Sequence, residues 1–351
     1  MTTTRRVLPA EWAPQSAVML TWPHPGTDWA YILDEVEPVF LDIARAVLRY
    51  ENLVISCEFV ARLQELDRDL NRYAEENGFP GRVHIVPAPA NDTWARDHGP
   101  ITIVTDDGPA LLDFRFNAWG GKFPFEKDDA LNRHLANAGV FGATPMQQVD
   151  FVLEGGSIES DGLGTLLTTS ECLLTPTRNP SVDRTAIEQL LAEVLGVTRI
   201  LWLNHGYLEG DDTDSHIDTL ARFCAPDHIC YVTCPDVADE HYSALAAMEE
   251  ELQQFRQLDG TPYKLTALPW PEAIQDEDGE RLPATYANFL IINDAVLLPV
   301  YGVAQDEEAI AVMKEIFPSR DIVPIDCRAL IRQHGSLHCV TMQIPAGVVT
   351  S

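Results

Sequence analysis

ITIVTDDGPALLDFRF occupies residues 101–116, and the chain runs on through DALNRHLANAG (129–139) to QQVDFVLE (147–154). The first stretch holds two β-forming runs on either side of Asp106-Asp107-Gly108, residue types that favour the tight backbone of a hairpin turn. The second places apolar residues at helical spacing and stops at Gly139, a residue that ends helices in the left-handed conformation. The third is again strand-like. Together they spell strand, hairpin partner, helix, strand.

The same order returns on either side. Strand-like runs stand at 16–22, 53–60, 82–88, 198–204, 228–233, 285–293, 295–301 and 321–326. Helical patterns fill 36–50, 184–196, 241–255 and 307–317, and further hairpin turns lie at Asp161-Gly162 and Asn293-Asp294. The unit recurs about five times, each copy near one fifth of the chain. The fold class is α/β. Two architectures satisfy the pattern: a closed ring of five units, with inner strands on the axis and loops gathered at one end, and an ordinary open α/β sheet. Periodicity does not choose between them.

Composition bounds the function. The 351 residues include 54 Asp and Glu against 24 Lys and Arg, a net charge of −30. Phosphate binding needs clustered cations, so a nucleic acid is excluded as main partner, and an anionic membrane surface with it. The 46% hydrophobic content is that of a globular protein with a large core. No Ser/Gly-rich linker divides the chain, which predicts a single domain over 1–351 with the acidic stretch 271–282 as a surface loop. The seven cysteines form no CxxC pair and no zinc spacing, and MTTTRRVLPAEWAP lacks the apolar core of a secretory signal. The expectation is a cytoplasmic chain without disulfides or a membrane span.

Four segments are unusually rich in reactive side chains: NDTWARDHGP (91–100), EGGSIESDG (154–162), EGDDTDSHIDTLARF (209–223) and HGSLHCVTMQ (334–343). In the third, an extended backbone would put Asp212, Asp214, His216 and Asp218 on one face. Such a row binds a hard metal or an organic cation, or simply faces solvent. Cys339 is either an inert buried hydrophobe or a nucleophile activated by His216 or His338. Asp97 has Arg96 and Arg115 as candidate ion-pair partners, and Trp94 offers a face on which a delocalised cation stacks. Glu154 sits at a strand end before Gly155-Gly156, where the backbone can approach a ligand closely. A guanidinium fits this inventory, because paired carboxylates accept its forked N–H donors and leave its central carbon open to attack.

These motifs, in this order over nearly the whole chain, resemble the agmatine deiminase and bacterial-type peptidylarginine deiminase family of the guanidino-group-modifying (pentein) superfamily. The resemblance implies a five-bladed α/β propeller of pseudo-fivefold ββαβ units around a central active site. It implies Cys339 as nucleophile, His216 as general acid and base, Asp97 and Asp218 as guanidinium clamps, and Glu154 as a further partner of substrate and His216. Trp94, Trp119 and Asp212 complete the implied substrate-binding set, with no metal and no cofactor. The implied activity is hydrolysis of agmatine to N-carbamoylputrescine and ammonia, with peptidylarginine or free arginine as the alternative substrate and a homo-oligomer as a possible assembly. The chain departs from the common pattern at Ser215, at Thr341-Met342-Gln343 and at 22–29, where the usual arginine is missing. The stretch 116–120 also lacks the arginines with which the peptidylarginine branch holds a carboxylate, which favours a small dication. From the residues alone, a metal-dependent hydrolase using Asp212, Asp214, His216 and Asp218, and a non-catalytic arginine or polyamine binder, are the competing readings.

Overall fold

The structure, a computed structural model, describes residues 5–349; residues 1–4 and 350–351, the ends of the predicted 1–351 domain, lie outside them. It contains five mixed sheets built on one plan. In the unit that opens with Ile101–Thr105, that strand pairs antiparallel with Gly108–Arg115, which pairs parallel with Met146–Val152 across the helix Glu126–Asn137. The next sheets repeat this as Ile158–Ser160, Thr165–Thr169 and Arg199–Leu203, then as Ala221–Ala225, His228–Val232 and Lys264–Leu268. The fourth is Leu290–Ile292, Ala295–Val300 and Asp321–Asp326. The fifth draws on both ends of the chain: Thr341–Pro345 pairs antiparallel with Gln15–Thr21, which is followed in parallel by Asn52–Cys57 and Val83–Pro87. Parallel neighbours need a crossover connection, which is why a helix separates them in every unit.

The middle strands are covered on both faces, as Thr165–Thr169 and His228–Val232 are throughout, and read accordingly as continuous apolar or small-residue runs. Asp183 caps Arg184–Leu195 by accepting the Ala186 N–H at 2.9 Å, and Gly196 ends that helix at φ 74°. One core cluster runs from Val18 to Val340 and gathers Trp22, Trp29, Trp94 and Trp119.

Three local expectations fail. The strand expected over 53–60 ends at Cys57, and Val60 opens an 18-residue helix to Asn77 whose charge-rich sequence buries only Leu63, Leu66, Leu70 and Ala74. The strand expected over 285–293 is confined to Leu290–Ile292. The 209–218 segment is not extended: Asp214 and Ser215 are left-handed, at φ 62° and 64°, so the row of four side chains on one face does not form. All seven cysteines are free, and all are buried. Among the described residues no helix is long and apolar enough to cross a membrane.

Candidate active site

Each sheet carries a polar residue just ahead of its first strand. Asp97 lies in the turn of helix Ala95–His98 before Ile101, and Glu154 opens the turn Gly155–Ser157 before Ile158. His216 and Asp218 lie in and beside the turn Ile217–Thr219 before Ala221, Asn288 precedes Leu290, and Cys339 precedes Thr341. These residues are far apart in the chain, and the structure brings them together. A methyl group built on Gly156 would meet His216 Nδ1 at 2.6 Å, Asp97 Oδ1 at 2.8 Å and Asp218 Oδ2 at 3.0 Å. The neighbouring Gly155 is equally confined, its missing methyl falling 2.2 Å from the Arg96 carbonyl. The glycine pair is there because backbone must pass where no side chain fits.

Each carboxylate is held by specific partners. Asp97 Oδ1 accepts the Gly156 N–H at 3.0 Å and Oδ2 accepts the indole N–H of Trp119 at 2.9 Å, with His216 Nδ1 at 3.7 Å. Glu154 Oε1 accepts Arg178 Nε at 2.9 Å, both side chains fully buried, while Oε2 has no partner among the described residues. Asp218 Oδ2 accepts the Nδ1 proton of His338 at 2.7 Å, and His338 Nε2 lies 2.7 Å from Glu11, which also takes Arg222 at 3.0 Å. Asp218 Oδ1 and both nitrogens of His216 likewise lack partners among the described residues. Buried polar atoms are rarely left unpaired, so the two orphan carboxylate oxygens mark where a ligand with N–H donors belongs. The Cys339 sulfur lies 3.4 Å from Asn288 Oδ1, which also accepts the His338 N–H at 2.9 Å.

The electrostatics follow from burial and crowding of like charge. Burial opposes a charge on His216, but Asp97, Cys172 and Glu154 outweigh it and hold the imidazole well above its ordinary value. Burial, with Asp218 and Glu154 adding to it, pushes Asp97 up to about 6 against the pull of His216. Asp218 is held below the usual carboxylate range, because the hydrogen bond and charge of His338, with His216 and Arg222, overcome the effect of burial. Burial first, then Asp218 and Asp97, push the Cys339 thiol well above its ordinary value, so the thiol of the empty site is neutral at pH 7.

Cys339 and Asp97 open onto a cleft of about 120 Å³ lined also by Trp94, Trp119 and Asp212, so all five of these expected residues share one wall system. Glu154, His216 and Asp218 are buried beside it. Asp97 does not pair with either predicted arginine: Arg96 turns toward Glu11 at 3.7 Å and Gln343, and Arg115 toward Asp129 and Asp150. Asp214 faces away from the cleft, bonded to Arg178 and to Lys122. The metal-hydrolase set therefore does not assemble. Among the described residues the donor groups that cluster are Glu154–Cys172–His216, Glu11–Glu159–His338 and Asp239–Glu240–His241, and Arg222 already occupies the carboxylates of the second.

Sequence reasoning missed Asn288, Arg178, Glu11 and Lys122. The fivefold rule would have found Asn288, since it stands ahead of the fourth unit's first strand as the others do in theirs. Arg178, Glu11 and Lys122 act across 24, 327 and about 90 residues of chain, and nothing local marks them.

Known proteins carry the same organisation. A solved structure from Porphyromonas gingivalis, named provisionally as an arginine deiminase, is 51% identical and superposes with a TM-score of 0.92 over 99% of this chain and 100% of its own. A cysteine-to-serine variant of C. jejuni agmatine deiminase, solved with substrate bound, is 36% identical at a TM-score of 0.91, covering 99% and 98% of the two chains. The agmatine deiminase of Stutzerimonas stutzeri is 33% identical over 368 residues, covering 97% of this chain and 96% of its own. Residues 7–345 match the family model of Porphyromonas-type peptidyl-arginine deiminase, so the motifs, the five-sheet plan and the matched span agree: the chain belongs to that family.

Proposed function

We propose that this protein is an agmatine deiminase, hydrolysing the guanidinium C–N bond of agmatine to give N-carbamoylputrescine and ammonia. One observation carries the choice of substrate. The cleft is lined by Asp28, Asp92, Asp97, Asp128 and Asp212, with Trp94, Trp119, Phe116 and Phe123 between them, and by no lysine or arginine among the described residues. A ligand with a cation at each end and an apolar chain between them is complementary to that lining, whereas the carboxylate of arginine would enter it without a counter-charge.

In this reading 1–351 is one catalytic domain, and the five sheets are blades of a propeller whose inner strand ends meet at the site. Asp97 and Asp218 clamp the guanidinium N–H groups, and Glu154 takes a further one through its free Oε2. Binding of this cation beside Cys339 offsets the carboxylate field and lowers the thiol pKa, so the thiol releases its proton to water and the thiolate becomes the nucleophile. The sulfur adds to the guanidinium carbon; His216, charged in the empty site, gives its proton to the departing nitrogen, and ammonia leaves with an S-alkylthiouronium in place. The now neutral His216 takes a proton from water as its oxygen adds to the same carbon, the C–S bond breaks, and the ureido product departs with the thiol restored. Seven free thiols support the cytoplasmic reading.

The 51% identity to the Porphyromonas gingivalis structure favours arginine as the second reading. Ammonia release from agmatine, free arginine and a peptide with C-terminal arginine, run in parallel with EDTA and with Cys339→Ala, separates the two. Turnover of agmatine that resists chelator and disappears in the variant is the expected result. Turnover confined to the arginine substrates would retain the thiol chemistry and overturn the substrate assignment.

The pH dependence has a definite sign. Asp97 clamps only when charged, and with a value of about 6 it protonates as the pH falls through that point. The profile of kcat/KM is therefore expected to lose activity below about pH 6, well above where an ordinary aspartate would act. An acid limb near pH 4 would show that Asp97 is not the clamp.

A further inference from the structure

We infer that Lys122 is a positioning residue: a latch that ties the Trp119 segment to the 212–214 segment and fixes Trp119 against Asp97. The inference rests on the proposed substrate, and its ground is a segment that violates local preference. Ala118, Trp119, Gly120 and Gly121 are consecutively left-handed, at φ 49°, 55°, 96° and 82°. Two of them carry side chains, and a residue with a Cβ keeps such a backbone only where the surroundings impose it.

The surroundings are visible. On the inner side Trp119 donates to Asp97, and on the flank Asn117 Nδ2 donates to the Thr177 carbonyl at 3.0 Å. Gly120 packs so closely on Thr177 that a methyl group there would fall 2.4 Å from its hydroxyl oxygen. The far side is held by Lys122 alone among these contacts: Nζ donates to the Asp212 carbonyl at 2.6 Å and to Asp214 Oδ1 at 3.0 Å. Trp119, Asp212 and Thr213 all line the cleft and Lys122 does not, so this one ammonium ties together, from outside the lining, two segments that are remote in sequence.

The latch also reaches the chemistry. Asp214 is shared between Lys122 and Arg178, and Arg178 bonds the Thr213 carbonyl at 2.7 Å and Glu154. A ladder Lys122–Asp214–Arg178–Glu154 thus runs from the surface to the buried site. Lys122 and Asp214 are 37% and 30% exposed while Arg178 and Glu154 are fully buried, so the outer rung alone is open to solvent and salt. Breaking it frees Trp119 and the 212–213 wall but leaves Glu154 clamped by Arg178, and substrate affinity suffers rather than the chemical step.

The test measures agmatine kinetics for Lys122→Met and Lys122→Arg, and agmatine binding by calorimetry to the same variants in a Cys339→Ala background. Expected for Lys122→Met is a KM and a Kd about tenfold higher with kcat within about twofold. Lys122→Arg should restore both, and the variant-to-wild-type KM ratio should shrink between about 0.02 M and 0.5 M salt as the latch is screened in the wild type. Tryptophan quenching by acrylamide, which needs no substrate, should rise in Lys122→Met and return in Lys122→Arg. Unchanged KM and quenching, or a salt-independent ratio, overturns the latch. Absence of agmatine turnover and binding with Lys122 intact overturns instead the substrate reading, while the quenching result still decides whether Lys122 holds Trp119.

Discussion

Gly156→Ala is expected to lower kcat/KM for agmatine by about 10²–10³-fold while leaving the protein folded. The added methyl has no space: His216 Nδ1, Asp97 Oδ1 and Asp218 Oδ2 lie 2.6, 2.8 and 3.0 Å from where it would sit. Real Cβ atoms do not come that close, so at least two of the three groups must move. A displacement of about 1 Å in reacting or clamping groups is enough for a loss of this size. Gly156 does not occupy the left-handed backbone that would penalise alanine, so the effect is a local collision and not a misfolding. Steady-state kinetics beside a thermal melt decide the matter. Near-normal kcat/KM would mean that the three side chains do not converge as described.

The second large effect concerns Arg178, whose three donors hold Glu154, Asp214 and the Thr213 carbonyl. Arg178→Met removes all three and strands Glu154 as a carboxylate with no exposure to water. Removing one partner of a buried ion pair is worth about 3–5 kcal/mol, far more than the pair contributes over an apolar substitute. For a chain of this size that corresponds to a fall of about 4–7 °C in melting temperature. Activity should fall by about 10²-fold as well, since Glu154 and the 213–216 backbone are no longer oriented. Adding Glu154→Gln separates the two consequences: the double variant should regain stability because the stranded charge is gone, yet remain inactive. A single variant that melts as the wild type does would show that Arg178 is not the clamp of Glu154.

Both predictions rest on contacts between residues remote in sequence, and that marks where the sequence was legible. The hairpin at 101–116 and the helix after it were readable because turn chemistry and helical spacing are local properties, and the same signals recur unit by unit. The helix Val60–Asn77 was not readable, since its four buried residues make a thin apolar stripe in a run of charge that resembles a loop. The 209–218 row misled for a related reason. Alternation predicts one face only if the backbone is extended, and the hydrogen bonds from Thr213 and Ser215 to Asp211, at 2.6–3.1 Å, fold it into a turn instead. Asp214 was thereby turned from the cleft to Arg178.

By itself the sequence determined the repeating α/β unit and the acidic balance, and through its motifs it put forward Cys339, His216, Asp97, Asp218 and Glu154 as the candidate set. Those depend on residue type and on neighbours along the chain. Only the tertiary structure decided that Asp97, His216 and Asp218, each ahead of the first strand of its sheet, converge on Gly156 with Cys339 beside Asn288, that Arg178 and Lys122 tie the site to the surface, and that the cleft lining holds no lysine or arginine among the described residues. Each of these is a juxtaposition of residues tens to hundreds of positions apart, made when each parallel strand pair closed over its crossover helix and when Thr341–Pro345 joined Gln15–Thr21. No local signal encodes such a meeting, because the burial that enforces it is a property of the packed whole.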